Sequence, residues 1–367
     1  MAVEILKPWP ETTKEFHLPL ARRALVKGLK IGRRLAAGEL LATGPLGGSL
    51  GALRAPAAGW IRALSARYLT LVKNPSQSDL TPKKDLNGLS APELYATLID
   101  LGLTLPGPLG PGRPLVVAAL DAEPDQTLAK ALWSEWPAVL RAGLELIGRL
   151  YPDRPLVLAW PLERKPPDPP PLGFDLKKTD PPYPYTFGPF LGRYLGLGDE
   201  TRAFGTIDSR TVYLLGRVAT SGRPPFLWPI ALQGLNYLVP LGLKPLDLLT
   251  GLSLEPRDQD AVVLGGAYRG RPLCRLDEGL GPEATDLRLI RAKNLPAAPG
   301  PCRRCQACSL ACPLKLPLAA LGGQPFSHWP RLRSQALQLL KSCPDCGLCA
   351  KACPANRPLR FFTSELS

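Results

Sequence analysis

"PCRRCQACSLACP" occupies residues 301–313 of this chain, and "SCPDCGLCAKACP" occupies residues 342–354. Both runs have the spacing C-x2-C-x2-C-x3-C-P, and together they hold eight of the nine cysteines, namely Cys302, Cys305, Cys308 and Cys312 in the first run and Cys343, Cys346, Cys349 and Cys353 in the second. Bacterial ferredoxins use this spacing to bind [4Fe–4S] clusters. The two runs therefore predict two [4Fe–4S] clusters and a ferredoxin-type fold around them.

Each cluster is expected to take ligands from both runs. Three cysteines two residues apart wrap around one cluster, whereas the fourth cysteine of the run reaches the other cluster. The predicted ligand sets are Cys302, Cys305, Cys308 and Cys353 for cluster 1, and Cys343, Cys346, Cys349 and Cys312 for cluster 2. Structural zinc is the alternative, but it takes four ligands per ion from two cysteine pairs, which fits duplicated runs of four less well. The ninth cysteine, Cys274, is predicted to be a buried structural thiol.

Composition restricts the class of protein. A chain of 367 residues is long enough for two to four small domains, and its 44 prolines and 35 glycines predict short elements with rigid connections. The formal net charge is +14, and two clusters with their thiolates would leave about +10. Such a surface suits an acidic protein partner or an anionic lipid surface, although solubility alone also explains it. No nucleic-acid-binding motif is recognisable, so nucleic acid is not an expected partner.

Two basic regions are candidate docking surfaces. One surrounds the cysteine runs and consists of Arg303, Arg304, Lys315, Arg331, Arg333, Lys341, Lys351, Arg357 and Arg360. The other is the segment 22–34, which has six basic residues and no acidic one. For both regions the alternative is an ordinary solvated basic face.

The first part of the chain shows short strands separated by turns. "LKIGRRLAAGELLA" (29–42) and "LRAPAAGWIRAL" (53–64) resemble the two halves of biotinyl and lipoyl domains. The tip between these halves in such carrier domains has a lysine that takes the cofactor, whereas here "TGPLGGSLGALR" (43–54) has none. Covalently attached biotin or lipoate is therefore disfavoured.

The middle of the chain has the pattern of an α/β unit. "RPLVVAAL" (113–120) and "RPLVLAW" (154–160) are continuous apolar runs, typical of buried parallel strands, and the residues between them have helical periodicity. This predicts one βαβ unit, followed by a proline-rich linker at 163–185. Residues 223–252 are predicted to form a β-grasp module, and 260–273 a strand, turn and strand. Apolar spacing at 330–341 predicts a helix between the two cysteine runs.

This order of segments resembles the C subunit of the Rnf electron-transport complex. That family is related to the flavin subunit of respiratory complex I and to the A subunit of the sodium-pumping NADH:quinone reductase. The resemblance is most specific at the cysteine runs and the tail "CPANRPLRFF" (353–362). It implies an α+β multidomain fold with five parts: an N-terminal barrel-sandwich hybrid (1–75), a central α/β unit like that of the complex I flavin subunit (85–162), the linker (163–185), a region with an SLBB-like β-grasp module (186–295) and a helical two-cluster ferredoxin domain (296–367).

The resemblance also implies a site for FMN and NADH, of which this sequence keeps a trace. Members of the family have a glycine-rich loop and an acidic turn ending in Glu-Pro. Asp121, Glu123 and Pro124 match the turn, whereas "LGLTLPGPLGPGRP" (101–114) has prolines where the loop needs backbone N–H groups. FMN is therefore disfavoured, and Asp121 and Glu123 are weak, vestigial cofactor-binding candidates. The alternative is that these acids lie at a strand end and favour the helix that follows.

The expected function is that of an electron-transfer subunit in a membrane-associated redox complex. The two histidines, His17 and His328, lie in no recognisable catalytic motif, so a catalytic role is not predicted. The alternatives are an FMN-containing NADH-oxidising subunit with a diverged glycine loop, and a non-redox adaptor stabilised by metal. No signal segment or membrane span is predicted, so the expected location is cytoplasmic, peripheral on the inner face of the cell membrane, held by partner subunits and in contact with a soluble electron donor or acceptor.

Overall fold

The computed structural model describes residues 7–9, 13–20, 23–45, 50–74, 83–107, 112–186, 188–198, 205–319, 343–357 and 359. Within these ranges the strands form four sheets, of six, four, four and three strands, and helices accompany two of them. The predicted mixture of α and β structure in several units is confirmed at this level.

The N-terminal unit is built from two small antiparallel sheets. Its strands are β1 (Lys7–Pro8), β2 (Glu15–Pro19), β3 (Ala24–Leu25), β4 (Arg34–Leu35), β5 (Leu40–Thr43), β6 (Leu53–Arg54), β7 (Gly59–Leu64) and β8 (Tyr68–Lys73). One sheet has the order β2-β8-β7-β4 and the other β3-β5-β6, whereas β1 joins a later sheet. Leu18, Leu41, Ile61 and Leu71 are fully buried in the core of this unit. Its classification as a barrel-sandwich hybrid stays a prediction.

The central unit is a parallel sheet covered by helices. Its elements are α1 (Ala91–Asp100), β9 (Leu115–Ala118), α2 (Leu128–Glu135), α3 (Pro137–Leu150), β10 (Leu156–Pro161), β11 (Phe174–Thr179), α4 (Gly188–Tyr194), β12 (Gly205–Asp208) and α5 (Ser209–Ser221). The order is β11-β10-β9-β12, and every neighbouring pair is parallel. The two apolar runs of the sequence are β9 and β10, so the predicted βαβ unit is present.

Alternating residues of β9 and β10 are buried on opposite faces of this sheet. Leu115 and Val117 pack with residues of α3 and α5, whereas Val116 and Ala118 pack on the α4 side. A strand that is covered on both faces has no position for a polar residue, which explains the unbroken apolar runs.

Two boundaries differ from the sequence prediction. The segment 163–185, predicted to be a linker, contains β11, which adds a six-residue parallel strand beside β10. The region predicted to begin at 186 contributes α4, β12 and α5 to the α/β unit. The strand β11 is hard to recognise in the sequence. Its residues, "FDLKKT", lie on the edge of the sheet, alternate polar with apolar side chains and stand between proline clusters.

A mixed sheet follows, and it includes β1 from the N-terminal part of the chain. Its elements are β13 (Leu227–Leu232), β14 (Leu235–Pro240), α6 (Pro245–Gly251), β15 (Ala261–Leu264), β16 (Arg271–Pro272) and β17 (Asp286–Ile290), with a 3-10 turn at Ala292–Asn294. The order is β1-β14-β13-β17-β15-β16. β15 and β16 are the predicted strand, turn and strand, whereas the β-grasp classification stays a prediction.

In the described part of the C-terminal unit, each cysteine run contains a short helix, α7 (Ala307–Ala311) in the first and α8 (Leu348–Lys351) in the second. The helix predicted at 330–341 lies outside the described residues. Among the described helices, none combines the length and the apolar character that crossing a bilayer requires.

Candidate cluster sites and the neighbouring acidic cavity

The eight cysteines of the two runs lie around two separate cavities. Cys302, Cys305, Cys308 and Cys353 line one cavity, called here the first cysteine cavity. The second cysteine cavity is lined by Cys312, Cys343, Cys346 and Cys349. Each cavity thus contains three cysteines of one run and the last cysteine of the other, and these sets are the two that the spacing predicts.

The backbone folds in the same way in both runs. The residues two and four positions after the first cysteine have positive φ in each, namely Arg304 (53°) and Gln306 (62°) in one run and Asp345 (55°) and Gly347 (77°) in the other. These left-handed residues turn the backbone sharply and allow it to curl around the cavity. The N–H of Arg304 points at the sulfur of Cys302, with an N···S distance of 3.4 Å. Hydrogen bonds of this kind to ligand sulfur tune an iron–sulfur site.

Four of the thiols have a raised pKa. Burial raises the pKa of Cys343 to about 11 and that of Cys349 to about 12, and it also raises the pKa of Cys308 and Cys346. A metal ligand must be a thiolate, so these cysteines need nearby positive charge to ionise. Iron bound in these cavities would supply that charge, and the four-thiol composition of each cavity fits an iron–sulfur cluster. Across the described part of the chain, no three Cys, His, Asp or Glu side chains converge on one point suited to a single metal ion.

Cys274 does not belong to either cavity. The sequence predicted a buried structural thiol, and this prediction was wrong, because the side chain is exposed. Cys274 follows β16, a two-residue strand at the edge of the mixed sheet, and among the described strands none pairs with the outer side of β16. Its neighbour Arg275 forms surface ion pairs with Asp277 and Glu278 at 3.1 Å.

The second cysteine cavity is held against the rest of the protein. The hydroxyl of Tyr183 donates a hydrogen bond to the carbonyl of Cys346, and the ring of Tyr183 lies 4.5 Å from that of Tyr268. On the other side of the loop, Arg271 of β16 forms an ion pair with Asp345 at 3.5 Å. The loop from Cys343 to Cys349 is therefore fixed by two different units.

Asp121 lies at the start of α2. Its carboxylate accepts the N–H of Ala129 at 2.7 Å and that of Lys130 at 3.3 Å. Burial raises the pKa of Asp121 to about 6, although these two hydrogen bonds oppose the shift. These contacts agree with the alternative interpretation of the sequence, in which Asp121 is an acid that stabilises a helix N-terminus.

Glu123 reaches in the opposite direction, into the mixed sheet. Its carboxylate is 2% exposed and accepts the N–H of Tyr268 at 2.7 Å and that of Arg269 at 3.2 Å. A Cβ atom on Gly266 would come within 2.2 Å of this carboxylate, so only glycine allows the close approach. Burial raises the pKa of Glu123. Glu123 therefore stabilises the turn between β15 and β16.

A cavity of about 280 Å³ opens between the α/β unit and the mixed sheet, at the carboxyl ends of β9 and β12. We call it the acidic cavity, because its lining includes Asp121, Glu123, Asp208 and Glu283. The carboxyl ends of parallel strands are where α/β proteins bind ligands.

Arg210 is a lining residue of the acidic cavity that the sequence did not reveal. It is 8% exposed, its Nη1 donates to the carbonyl of Pro282 at 2.8 Å, and its guanidinium lies 5.2 Å from the ring centroid of Trp228. Burial lowers the pKa of Arg210 to about 10. Its only sequence signal is an arginine at the second position of a helix that mixes polar and apolar residues, which is too common to indicate a site.

The residues of this cavity fit a flavin poorly. Both carboxylates that match the cofactor turn are engaged in backbone hydrogen bonds, Asp121 with α2 and Glu123 with the turn after β15. A flavin site would also need glycine N–H groups for the phosphate, free acceptors for the ribose and room for the ring. The volume of about 280 Å³ is at the lower limit for a ligand pocket.

Comparison with known proteins gives a limited result. No protein-family model matches the sequence, and no curated protein matches it. Among solved structures, the chain is similar to the NAD⁺-reducing [NiFe]-hydrogenase in the H2-reduced state, with 14% identity, a TM-score of 0.46, and coverage of 71% of this chain and 57% of that one. The same enzyme in the air-oxidized state gives 15% identity, a TM-score of 0.45, and coverage of 70% and 57%. The chain thus spans somewhat more than half the length of the solved chains that it matches.

Proposed function

We propose that the protein is an electron-transfer subunit that binds two [4Fe–4S] clusters and relays single electrons within a larger redox complex. The observation that supports this most strongly is the grouping of the eight cysteines around two cavities, each with the crossed fourth ligand. Duplicated left-handed backbone positions in the two runs support it as well. A bound cluster supplies reversible one-electron chemistry.

The chain's own residues have three tasks in this proposal. Cysteines provide eight thiolates, and the N–H of Arg304 donates to one of the sulfurs. Tyr183 and Arg271 hold the second cysteine loop against the α/β unit and the mixed sheet. The α/β unit is then a scaffold that has lost its flavin, because Asp121 and Glu123 stabilise the fold instead.

The proposed setting is a complex on the inner face of the cell membrane, reached through partner subunits. The support is the excess of basic residues, with a formal net charge of +14. Charges on exposed surfaces are screened by salt, so association that depends on them weakens as ionic strength rises.

A combined assay of iron, acid-labile sulfide and flavin on the anaerobically purified protein tests the proposal. We expect about eight iron and eight sulfide per chain, with no flavin. One FMN per chain would instead support the NADH-oxidising alternative, and zinc without sulfide would support the metal-stabilised adaptor.

Two cysteine variants sharpen this test. Cys346→Ser removes one ligand of the proposed second site, so we expect iron to fall to about half while the signal of one cluster in electron paramagnetic resonance remains. Cys274→Ser is the matched control, because that thiol is exposed and lies in neither cavity. Equal iron in both variants would contradict the assignment of Cys346.

A further inference from the structure

The N-terminal unit has a projecting surface, called here the N-terminal tip, which consists of residues 27–34 and Trp60. The N–H of Gly32 donates to the carbonyl of Ile61 at 2.7 Å, and the N–H of Ile61 donates to the carbonyl of Arg33 at 3.0 Å. A Cβ atom on Gly32 would have nothing within 4 Å, so this turn projects into open space. The backbone of the tip is therefore held against β7, whereas the side chains of the turn face solvent.

Two large apolar side chains are exposed at the N-terminal tip. Ile31 is 64% exposed and Trp60 is 40% exposed. Trp60 alternates along β7 with the fully buried Ile61, so it points away from the core, and it lies directly opposite Arg34 in the pairing of β4 with β7. Large apolar residues that stand together on a surface indicate an interaction site, unlike single scattered ones.

The apolar side chains of the N-terminal tip are accompanied by positive charge. Lys27, Lys30 and Arg34 are exposed, and within the described part of the chain none of them has a carboxylate partner. Arg33 is different, because it forms an ion pair with Glu39 at 2.7 Å. Three uncompensated cations thus lie on the same small surface as the exposed isoleucine and tryptophan.

This combination of side chains matches a lipid surface better than a protein surface. Tryptophan is enriched at the boundary between membrane and water, and long basic side chains bury their stems there while the charge reaches the headgroups. Anionic lipids attract each basic residue that lies near them. Lysine, in contrast, is depleted from protein interfaces.

We propose that the N-terminal tip binds directly to a bilayer with anionic headgroups. Ile31 and Trp60 enter the headgroup region, and the three cations contact the anionic groups of the lipids. The inference goes beyond the proposed function, because this contact needs neither the clusters nor a partner subunit.

Binding of the intact, cluster-loaded protein to protein-free phosphatidylcholine vesicles that contain phosphatidylglycerol, measured by sedimentation at low and high salt, tests the charged part of the tip. We expect Lys27→Gln/Lys30→Gln to bind about 25-fold more weakly at low salt, since each basic residue near an anionic surface contributes about fivefold, and this difference should shrink at high salt. The matched control is Lys165→Gln/Lys178→Gln, which removes the same charge from exposed positions outside the tip. We expect a change of less than about twofold for that control.

Two further variants test the apolar part of the tip. We expect Ile31→Ser to bind the vesicles about fivefold more weakly at both salt concentrations, because the lost contact is apolar. Leu172→Ser is the control, since Leu172 is 99% exposed and lies outside the tip. Lipids brominated in their acyl chains quench tryptophans that enter the bilayer, so we expect Trp60→Phe to lose most of the quenching of the bound protein.

Four outcomes would overturn the inference: no binding of the parent protein to anionic vesicles, unchanged affinity in the lysine tip variant, an equal loss in both lysine variants, and quenching that persists in Trp60→Phe. Detachment of a tip variant from native membranes, when the parent does not bind protein-free vesicles, would instead assign the tip to a protein subunit. Iron and sulfide are assayed on every variant. Full iron without vesicle binding refutes this inference alone, whereas vesicle binding by a protein without iron and sulfide refutes the proposed function alone.

Discussion

At the scale of single residues, Glu123 shows how a residue with a cofactor-site pattern serves the fold. Its carboxylate is almost completely buried, and its hydrogen bonds to Tyr268 and Arg269 join the end of β9 to the turn after β15. Tyr268 in turn contacts Tyr183, which donates to Cys346. Glu123 therefore supports the loop of the second cysteine cavity through one intermediate turn.

Replacement of Glu123 by alanine leaves two buried N–H donors without an acceptor. We expect the free energy of unfolding to fall by about 1–3 kcal/mol. Urea unfolding followed by tryptophan fluorescence measures the change. Glu145→Ala, at an exposed position of α3, is the control and is expected to change stability by less than about 0.5 kcal/mol. Similar values for both variants would show that Glu123 is not a structural acceptor.

The raised pKa of Asp121 predicts that the stability of the protein depends on pH. Its folded-state pKa, raised to about 6 by burial, exceeds the ordinary value of 3.8, so the folded protein holds the proton more tightly than the unfolded chain. The stabilisation is therefore fully present below about pH 4 and is lost as the pH rises through about 6. We expect the stability difference between the wild type and Asp121→Asn to fall between about pH 4 and pH 6, by up to about 1.4 kcal/mol per unit of pKa difference. Parallel pH profiles of the two proteins would contradict this expectation.

At the scale of elements, the contact between α3 and α5 depends on two glycines. A Cβ atom on Gly143 would lie 2.1 Å from the carbonyl oxygen of Val212, and one on Gly216 would lie 1.8 Å from that of Val139. Each helix thus approaches the backbone of the other at a position where no side chain fits. This close packing places the N-terminus of α5, and with it Arg210, at the edge of the acidic cavity.

Gly143→Ala and Gly148→Ala form a matched pair on α3. At Gly143 the added methyl group overlaps the backbone of α5, so we expect a loss of about 1–3 kcal/mol in the free energy of unfolding. At Gly148 nothing lies within 4 Å of the added Cβ, and alanine favours the helix by up to about 1 kcal/mol. Thermal unfolding of the two variants should therefore shift in opposite directions, and a shift in the same direction would argue against the close contact.

At the scale of the whole molecule, the α/β unit and the mixed sheet are joined by charged groups as well as by apolar contacts. Arg288 of β17 contacts the fully buried Asp286 with an N···O distance of 2.6 Å, and it also forms an ion pair with Asp125 in the turn before α2. Thr285 and Gln126, the chain neighbours of Asp286 and Asp125, line the acidic cavity. The geometry of that cavity thus depends on the ion pair between Arg288 of the mixed sheet and Asp125 of the α/β unit.

Arg288→Met should be among the most destabilising single changes in the protein. It leaves Asp286 buried without its cation, at a cost of about 3–5 kcal/mol. Addition of Asp286→Asn to the same variant removes the buried charge, so we expect part of the loss to be recovered. Urea midpoints at neutral pH measure both effects. The control is Arg275→Met, which breaks exposed ion pairs with Asp277 and Glu278 and is expected to leave the urea midpoint nearly unchanged.

The sequence was most informative where a short-range pattern alone fixes the structure. The apolar runs gave β9 and β10 because a strand buried on both faces excludes polar residues. The cysteine spacing predicted which thiols share a cavity, because three closely spaced cysteines of one run wrap around one site, whereas the fourth reaches the other site. Patterns of this kind predict structure without knowledge of how the rest of the chain folds.

Other features depended on partners distant in sequence. β11 was hidden in a proline-rich segment, since it is recognisable only as a neighbour of β10. Cys274 was expected to be buried, but it is exposed and follows β16, the edge strand of the mixed sheet in the described part of the chain. The roles of Asp121 and Glu123 could not be separated either, because one accepts from residues 8 and 9 positions away and the other from residues 145 and 146 positions away.

The sequence by itself thus predicted the grouping of the eight cysteines, through a spacing known from ferredoxins, and the core strands of the α/β unit, through a hydrophobic pattern that acts over a few residues. Only the tertiary structure decided that Glu123 is committed to the turn at Tyr268, that Arg210 lines the acidic cavity, and that one cysteine cavity faces inward while the other reaches the surface. The physical reason is that burial and long-range hydrogen bonds exist only once distant segments have packed together.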